Sequence, residues 1–153
     1  MNKPASLRAT LEAALPELAA NPDHLVIYIE SGQIAAGLGG PSFEYRYKVT
    51  VGLLDFAGHT DRVMVPVLQW LRQYQPSLLQ NPDTAREAIQ FEAEILNHSS
   101  YDLKLQIQLS EPVQVKQQGD TLQAIHLPEP DLGERWPMPN PLQIIANGQV
   151  IDG

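Results

Sequence analysis

The sequence predicts an α+β domain: a mixed, mainly antiparallel sheet with two main helices packed on one face, then an extended proline-rich C-terminal arm ending in a small hairpin. Three observations carry this prediction. Residues 42–56, SFEYRYKVTVGLLDF, place Phe43, Tyr45, Tyr47, Val49, Val51 and Leu53 on one face and Glu44, Arg46, Lys48 and Thr50 on the other, the pattern of a long half-buried strand. Residues 4–20 and 61–75 repeat apolar side chains at helical spacing. Six of the thirteen prolines, Pro112, Pro128, Pro130, Pro137, Pro139 and Pro141, crowd the C-terminal end. The chain therefore divides into a folded domain over 1–127 and an arm with its hairpin over 128–153.

In order, residues 4–20 set Leu7, Leu11, Leu15 and Leu18 on one helical stripe, with Pro4 suited to the first turn and Pro16 expected to kink the last. Residues 24–30, HLVIYIE, are β-branched and apolar and read as a short central strand. The stretch SGQIAAGLGGP that follows holds Gly32, Gly37, Gly39 and Gly40 and reads as a flexible connection that leaves Ile34 and Leu38 exposed. The strand over 42–56 would span about 45 Å at roughly 3.3 Å per residue, longer than such a domain needs. AGHTD then turns the chain into the second helix, with Val63, Val67, Leu71 and Tyr74 in register and Trp70 beside them as core. Thr60 or Asp61 serves as its N-cap and Pro76 as its stop, while Pro66 should kink it or move its start toward Val65. Residues 81–88 make one or two turns at most.

Residues 89–97 alternate, and after His98-Ser99-Ser100 the run Tyr101, Leu103, Leu105, Ile107, Leu109 alternates strictly against polar partners, which predicts an antiparallel hairpin with one buried face. Residues 113–116 and 121–127 suggest a second, more polar hairpin through Gln118-Gly119-Asp120. The segment LPEPDLGERWPMPNP can form neither a helix nor an inner strand, because proline removes donors and fixes φ. In LQIIANGQVI, Asn147-Gly148 between two β runs is a strong hairpin signal.

Composition narrows the function. A chain of 153 residues buries enough surface for one real core. The net charge of −8 with scattered basic residues argues against a nucleic-acid surface, which needs a Lys/Arg stripe. With no cysteine, disulfides and thiolate metal sites are excluded. No signal-type segment or membrane-spanning run is present, which points to a protein of the cytoplasm. His24, His59, His98 and His126 are spread singly and do not converge as zinc ligands. Glu92 and Glu94 share the polar face of an alternating strand, where a solvated or interface role is the plain reading and a glycosidase-type pair would need a cleft. Ser99-Ser100 beside His98 is a turn, so no catalytic constellation, metal site or cofactor site is expected.

Several blocks in a fixed order, KPASLRATLEAALPELAANPDHLVIYIESGQIAAGL, SFEYRYKVTVGLLDFAGHTDRVMVPVLQWLRQYQP, FEAEILNHSSYDLKLQIQLSEPVQV, LPEP and LQIIANGQVI, resemble the tail completion protein R (GpR) family of contractile-tailed temperate phages. The resemblance runs from Lys3 to Ile151 and rests on structural words. It implies a virion protein that completes the tail at its head-proximal end. By size and element content the chain is also similar to tail terminator proteins, which form a six-fold ring on the last tube and sheath layer and face the neck or head.

From that resemblance follow the expected partners: further copies in a homohexameric ring, the tail tube and sheath proteins, and a neck or head-completion protein. No membrane is expected, and DNA would pass through the ring without specific binding. The ring is expected to be assembled in the host bacterial cytoplasm. Ring contacts must be heterologous, and wrapping arms or strand addition supply them. The arm, anchored by Trp136 and Met138, is expected on the adjacent subunit or the sheath, and the terminal hairpin, with Leu142, Ile144 and Val150, on a neighbouring edge. The rival expectation is that this tail folds back on its own domain. Ile34 and Leu38 are expected against the tail tube, Gln33 beside them as a further interface residue, and Arg46 and Lys48 as ring-facing charges. Two other readings stay open: the collar of a headless phage-tail-like bacteriocin, and a small-molecule or nucleotide-binding module built on the Gly-rich segment.

Overall fold

The computed structural model describes residues 1–129 and 143–151. Its element order is α1 (Lys3–Ala14), β1 (Leu25–Gly37), β2 (Gly40–Phe56), α2 (Asp61–Tyr74), α3 (Ser77–Gln80), α4 (Pro82–Arg86), β3 (Ile89–Ile95), β4 (Tyr101–Gln118), β5 (Thr121–His126), β6 (Ile145–Ala146) and β7 (Gln149–Val150). The main sheet is antiparallel with the order β1-β2-β4-β3, and β5 joins the far half of β4 on the same side as β3. The α+β prediction is borne out, with helices on one face. Leu7, Leu11, Leu15 and Leu18 and, from α2, Val63, Val67, Trp70 and Leu71 form one core with Tyr47, Val49, Val51 and Leu53 of β2 and Leu103, Leu105, Ile107 and Leu109 of β4. Each fully buried aliphatic in that cluster contributes about 1.5–3 kcal/mol relative to exposure.

The first helix is shorter than its leucine stripe suggests. It ends at Ala14, and Pro16 opens a 3-10 turn over Pro16–Ala19 that still delivers Leu18 to the core. Proline cannot donate to the helix ladder, so the chain breaks there rather than bends. By contrast α2 runs unbroken through Pro66. Thr60 occupies its N-cap, yet the Thr60 hydroxyl lies 3.1 Å from Tyr101 Oη, and His59 Nδ1 accepts the Asp61 amide instead. A bidentate Arg62–Glu17 pair, 2.9 and 3.0 Å, ties α2 to the 3-10 turn.

Two strands differ from expectation. β1 is an edge strand and continues through the Gly-rich stretch: after a bulge between Ile29 and Ser31, Gly32 pairs with Tyr47, Gln33 with Arg46 and Ile34 with Tyr45. The supposed flexible connection is therefore the outer arm of a hairpin, turning at Leu38-Gly39 between the paired Gly37 and Gly40. β4 is likewise one strand of 18 residues that joins the runs 101–109 and 113–116, which the sequence reads as strands of two separate hairpins. In a strand a residue's N and C=O face the same neighbour. The Pro112 carbonyl accepts the Leu127 amide, so its missing N–H also points away from β2, toward Leu127 just past the end of β5, and the β2–β4 ladder loses no bond there. At the C-terminal end, Asn147 and Gly148 both have positive φ, 52° and 78°, as the expected two-residue hairpin turn requires.

On the sheet face away from the helices, Thr50 is buried, and among the described residues its hydroxyl has no hydrogen-bond partner. Replacing it with an apolar group of the same shape removes that desolvation cost. Thr50→Val is expected to raise stability by about 1 kcal/mol, read as a higher urea midpoint at unchanged m-value.

Candidate functional site

The helices cover the middle of the sheet and leave its edges and one end bare. On β1, Val26, Tyr28 and Ile34 are solvent-exposed. On the opposite edge, Phe91 (64% exposed) and Ile95 (80%) of β3 and Leu122 of β5 do the same. Phe91 pairs with Leu105 and Ile95 with Tyr101, so both lie on the helix-bearing face, beyond the helices. The β1-β2 turn and the β4-β5 turn, Gly119-Asp120, lie at the same end of the sheet, because Phe43 of β2 pairs with Val113 of β4. Leu38, fully exposed, sits at the first of these tips. An apolar side chain held at a hairpin tip and rows of them along two sheet edges are features of a surface built for protein contact.

Of the residues singled out in the sequence, the structure brings Gln33, Ile34, Leu38, Arg46 and Lys48 together on the far half of the β1-β2 hairpin. Gln33 lies opposite Arg46, which pairs with Glu44 on its own strand. Ile144 is buried within its own chain, whereas Val150 is exposed on the small β6-β7 sheet. Trp136, Met138 and Leu142 lie outside the described residues.

A second feature is polar and buried. Glu111 falls on the inward register of β4, where it accepts hydrogen bonds from the Asn2 amide (2.7 Å) and the Tyr47 hydroxyl. Burial works to raise its carboxyl, and those bonds, with the Lys3 amide, outweigh burial and hold it below the usual glutamate value. Burial, then the bond to Glu111 and its negative charge, push the Tyr47 hydroxyl far above the ordinary tyrosine value. Beside this pair, Lys3 Nζ reaches Gln75 Oε1 (2.7 Å), the Ser110 carbonyl (2.6 Å) and Glu129 Oε1 (2.8 Å). The cluster fastens the start of α1, the end of α2 and the outgoing chain at Glu129 to one point on the sheet.

The histidines stay apart. His59 lies 3.5 Å from Asp61, His98 is in the β3-β4 turn, His24 precedes β1, and His126 Nδ1 is 4.0 Å from Glu111 Oε1 with its ring stacked on Tyr45. Glu92 and Glu94 lie on the open face of β3, where Glu92 is 3.7 Å from Lys104. Phe91, Ile95 and Leu122 were not singled out, since their alternation reads as a buried face. Glu111 had a signal: a charge on the register of Leu103, Leu105, Ile107 and Leu109.

Comparison with known proteins comes down on the structural side. The family described as P2 phage tail completion protein R (GpR) matches residues 1–130. Tail completion protein R of Escherichia phage P2 is 36% identical over 152 residues, covering 99% of this chain and 97% of that protein. No solved structure matches.

Proposed function

The chain belongs to the phage tail completion protein R (GpR) family, and from that premise we propose that it is a structural virion protein that completes a contractile tail at its head-proximal end. It does so as a homohexameric ring seated on the last tube and sheath layer, assembled in the host cytoplasm and presenting a face to the neck or a head-completion protein. The observation that carries this reading is the collinear match along nearly the whole of both chains. The bare edges and tips support it, since a ring needs contacts that are heterologous and close after a fixed rotation. The Gly-rich stretch feeds a strand on both sides of its turn and opens no helix, which disfavours the nucleotide reading.

In this reading Ile34 and Leu38 at the hairpin tip meet the tail tube, Gln33, Arg46 and Lys48 line the ring, and the arm bearing Trp136, Met138 and Leu142, with Val150 beyond it, reaches a neighbouring subunit or the sheath. Electron microscopy of the protein mixed with purified tails tests it. Density is expected at the tip distal to the baseplate, and density elsewhere on the tail refutes the reading. Leu38 touches little of its own chain, so Leu38→Asp is expected to leave the melting temperature unchanged while cutting the protein retained on pelleted tails at least tenfold.

A further inference from the structure

We propose that neighbouring copies in the ring join edge to edge, the outer edge of β1 in one copy pairing antiparallel with the outer edge of β3 in the next, so that the main sheets run on as one. This inference rests on the ring reading and adds the contact that builds the ring.

Strand direction alternates across β1-β2-β4-β3, because every pair is antiparallel. Four strands leave β1 and β3 running in opposite directions, so a second copy in the same orientation presents its β1 antiparallel to the first copy's β3. The two edges also stand at the same height. Ile27 pairs with Val51, Val51 with Leu105 and Leu105 with Phe91, and Val26 traces in the same way through Gly52 and Lys104 to Glu92. Their lengths agree: β1 before its bulge offers residues 25–30, and β3 offers Ile89–Ile95. The Leu25 carbonyl is already taken by Arg8, so the junction starts at Val26.

The side chains fit this pairing and oppose its rivals. On the helix-bearing face, Ile27 of one copy would stand beside Phe91 of the other and Ile29 beside Ile89, covering apolar surface of Phe91 now in water. On the open face, Val26 and Tyr28 would meet Gln90 and Glu92 without like charges. Pairing β3 with β3 about its middle would set Glu92 against Glu94 of the other copy, or one of them against its own copy, which is destabilising. Among the described residues β3 pairs only with β4 and β1 only with β2, and neither edge carries the lysine or proline that guards an edge against strand addition.

Because the chain has no cysteine, the contact can be read by cross-linking. Full-length V26C and Y28C chains are each mixed with Q90C or E92C chains, oxidised with copper phenanthroline and run on non-reducing gels, and each variant is run alone. The four mixtures cover the aligned register and a stagger of two residues either way. All four positions lie on the sheet surface, and circular dichroism confirms folding. The expected result is at least tenfold more covalent dimer in a mixture than in either chain alone. Dimers of E92C or Q90C alone would overturn the proposal in favour of a two-fold contact. Rings visible by microscopy with no cross-link in any mixture would overturn it and leave the ring reading standing. No oligomer with or without tails would remove the ring reading and this inference with it.

Discussion

Trp70→Ala is expected to cost about 3–5 kcal/mol, much of the 5–15 kcal/mol by which a domain of this kind is stable. Trp70 is the largest fully buried side chain in the core and the point where α2 meets α1. Its Nε1 donates to Ser6 Oγ at 3.0 Å and its ring lies 5.3 Å from that of Tyr74. Truncation therefore leaves a large cavity between both helices and the sheet and frees the Ser6 hydroxyl. A fall of roughly 6–20 °C in melting temperature follows from the usual 2–4 °C per kcal/mol at this chain length. Far-UV circular dichroism is the suitable readout, because Trp136 would dominate the remaining fluorescence. Trp70→Phe separates the terms in part: it keeps one six-membered ring and removes the donor with the rest of the indole, so an intermediate loss of about 1–3 kcal/mol is expected. Equal losses from both variants would mean that the hydrogen bond, and not the filled volume, couples the helices.

Trp70 and the leucines of α1 were legible because each obeys a local rule, a 3.6-residue stripe whose partner need not be known. The inner faces of β2 and β4 were legible for the same reason at a period of two. What escaped was set by partners distant in the chain. Glycine weakens a strand locally, so residues 31–37 read as a loop until β2 is beside them to supply the ladder. The runs 101–109 and 113–116 read as separate strands until Pro112 between them is seen to turn its missing donor away from β2. The exposure of apolar side chains was legible at the hairpin, where Ile34 and Leu38 interrupt a glycine-rich run. It was not legible on β3, since IQFEAEI alternates like any half-buried strand and only the reach of the helices decides that Phe91 and Ile95 stay in water. The family words were carried by strands and helices together, so they pointed to an assembly role without marking the residues that perform it.

Glu111→Gln is expected to cost about 2–4 kcal/mol at neutral pH and to remove a distinct acid-sensitive part of the stability. The carboxylate accepts from Tyr47 and from the Asn2 amide, and hydrogen bonds to a charged group contribute about 1.5–3 kcal/mol each. An amide offers one acceptor oxygen: turned to the Asn2 amide, it presents its N–H to the Tyr47 oxygen, so the Tyr47 hydroxyl proton loses its acceptor and both bonds lose their charge assistance. The pH dependence follows in sign from the lowered carboxyl. The folded state binds this proton less readily than the unfolded chain, so the stabilisation is complete above the unfolded glutamate value, about 4.3, and is lost as pH falls through the folded value. Urea unfolding of the native protein should therefore show a stability that declines below about pH 5, and the Glu111→Gln protein should start lower and decline less. Tyr47→Phe provides the control. It deletes one of the bonds that hold the carboxyl down, so it should shift the decline toward higher pH, and in a double-mutant cycle with Glu111→Gln the two losses should fall well short of adding. Additive losses with parallel pH profiles would show that Tyr47 and Glu111 act separately.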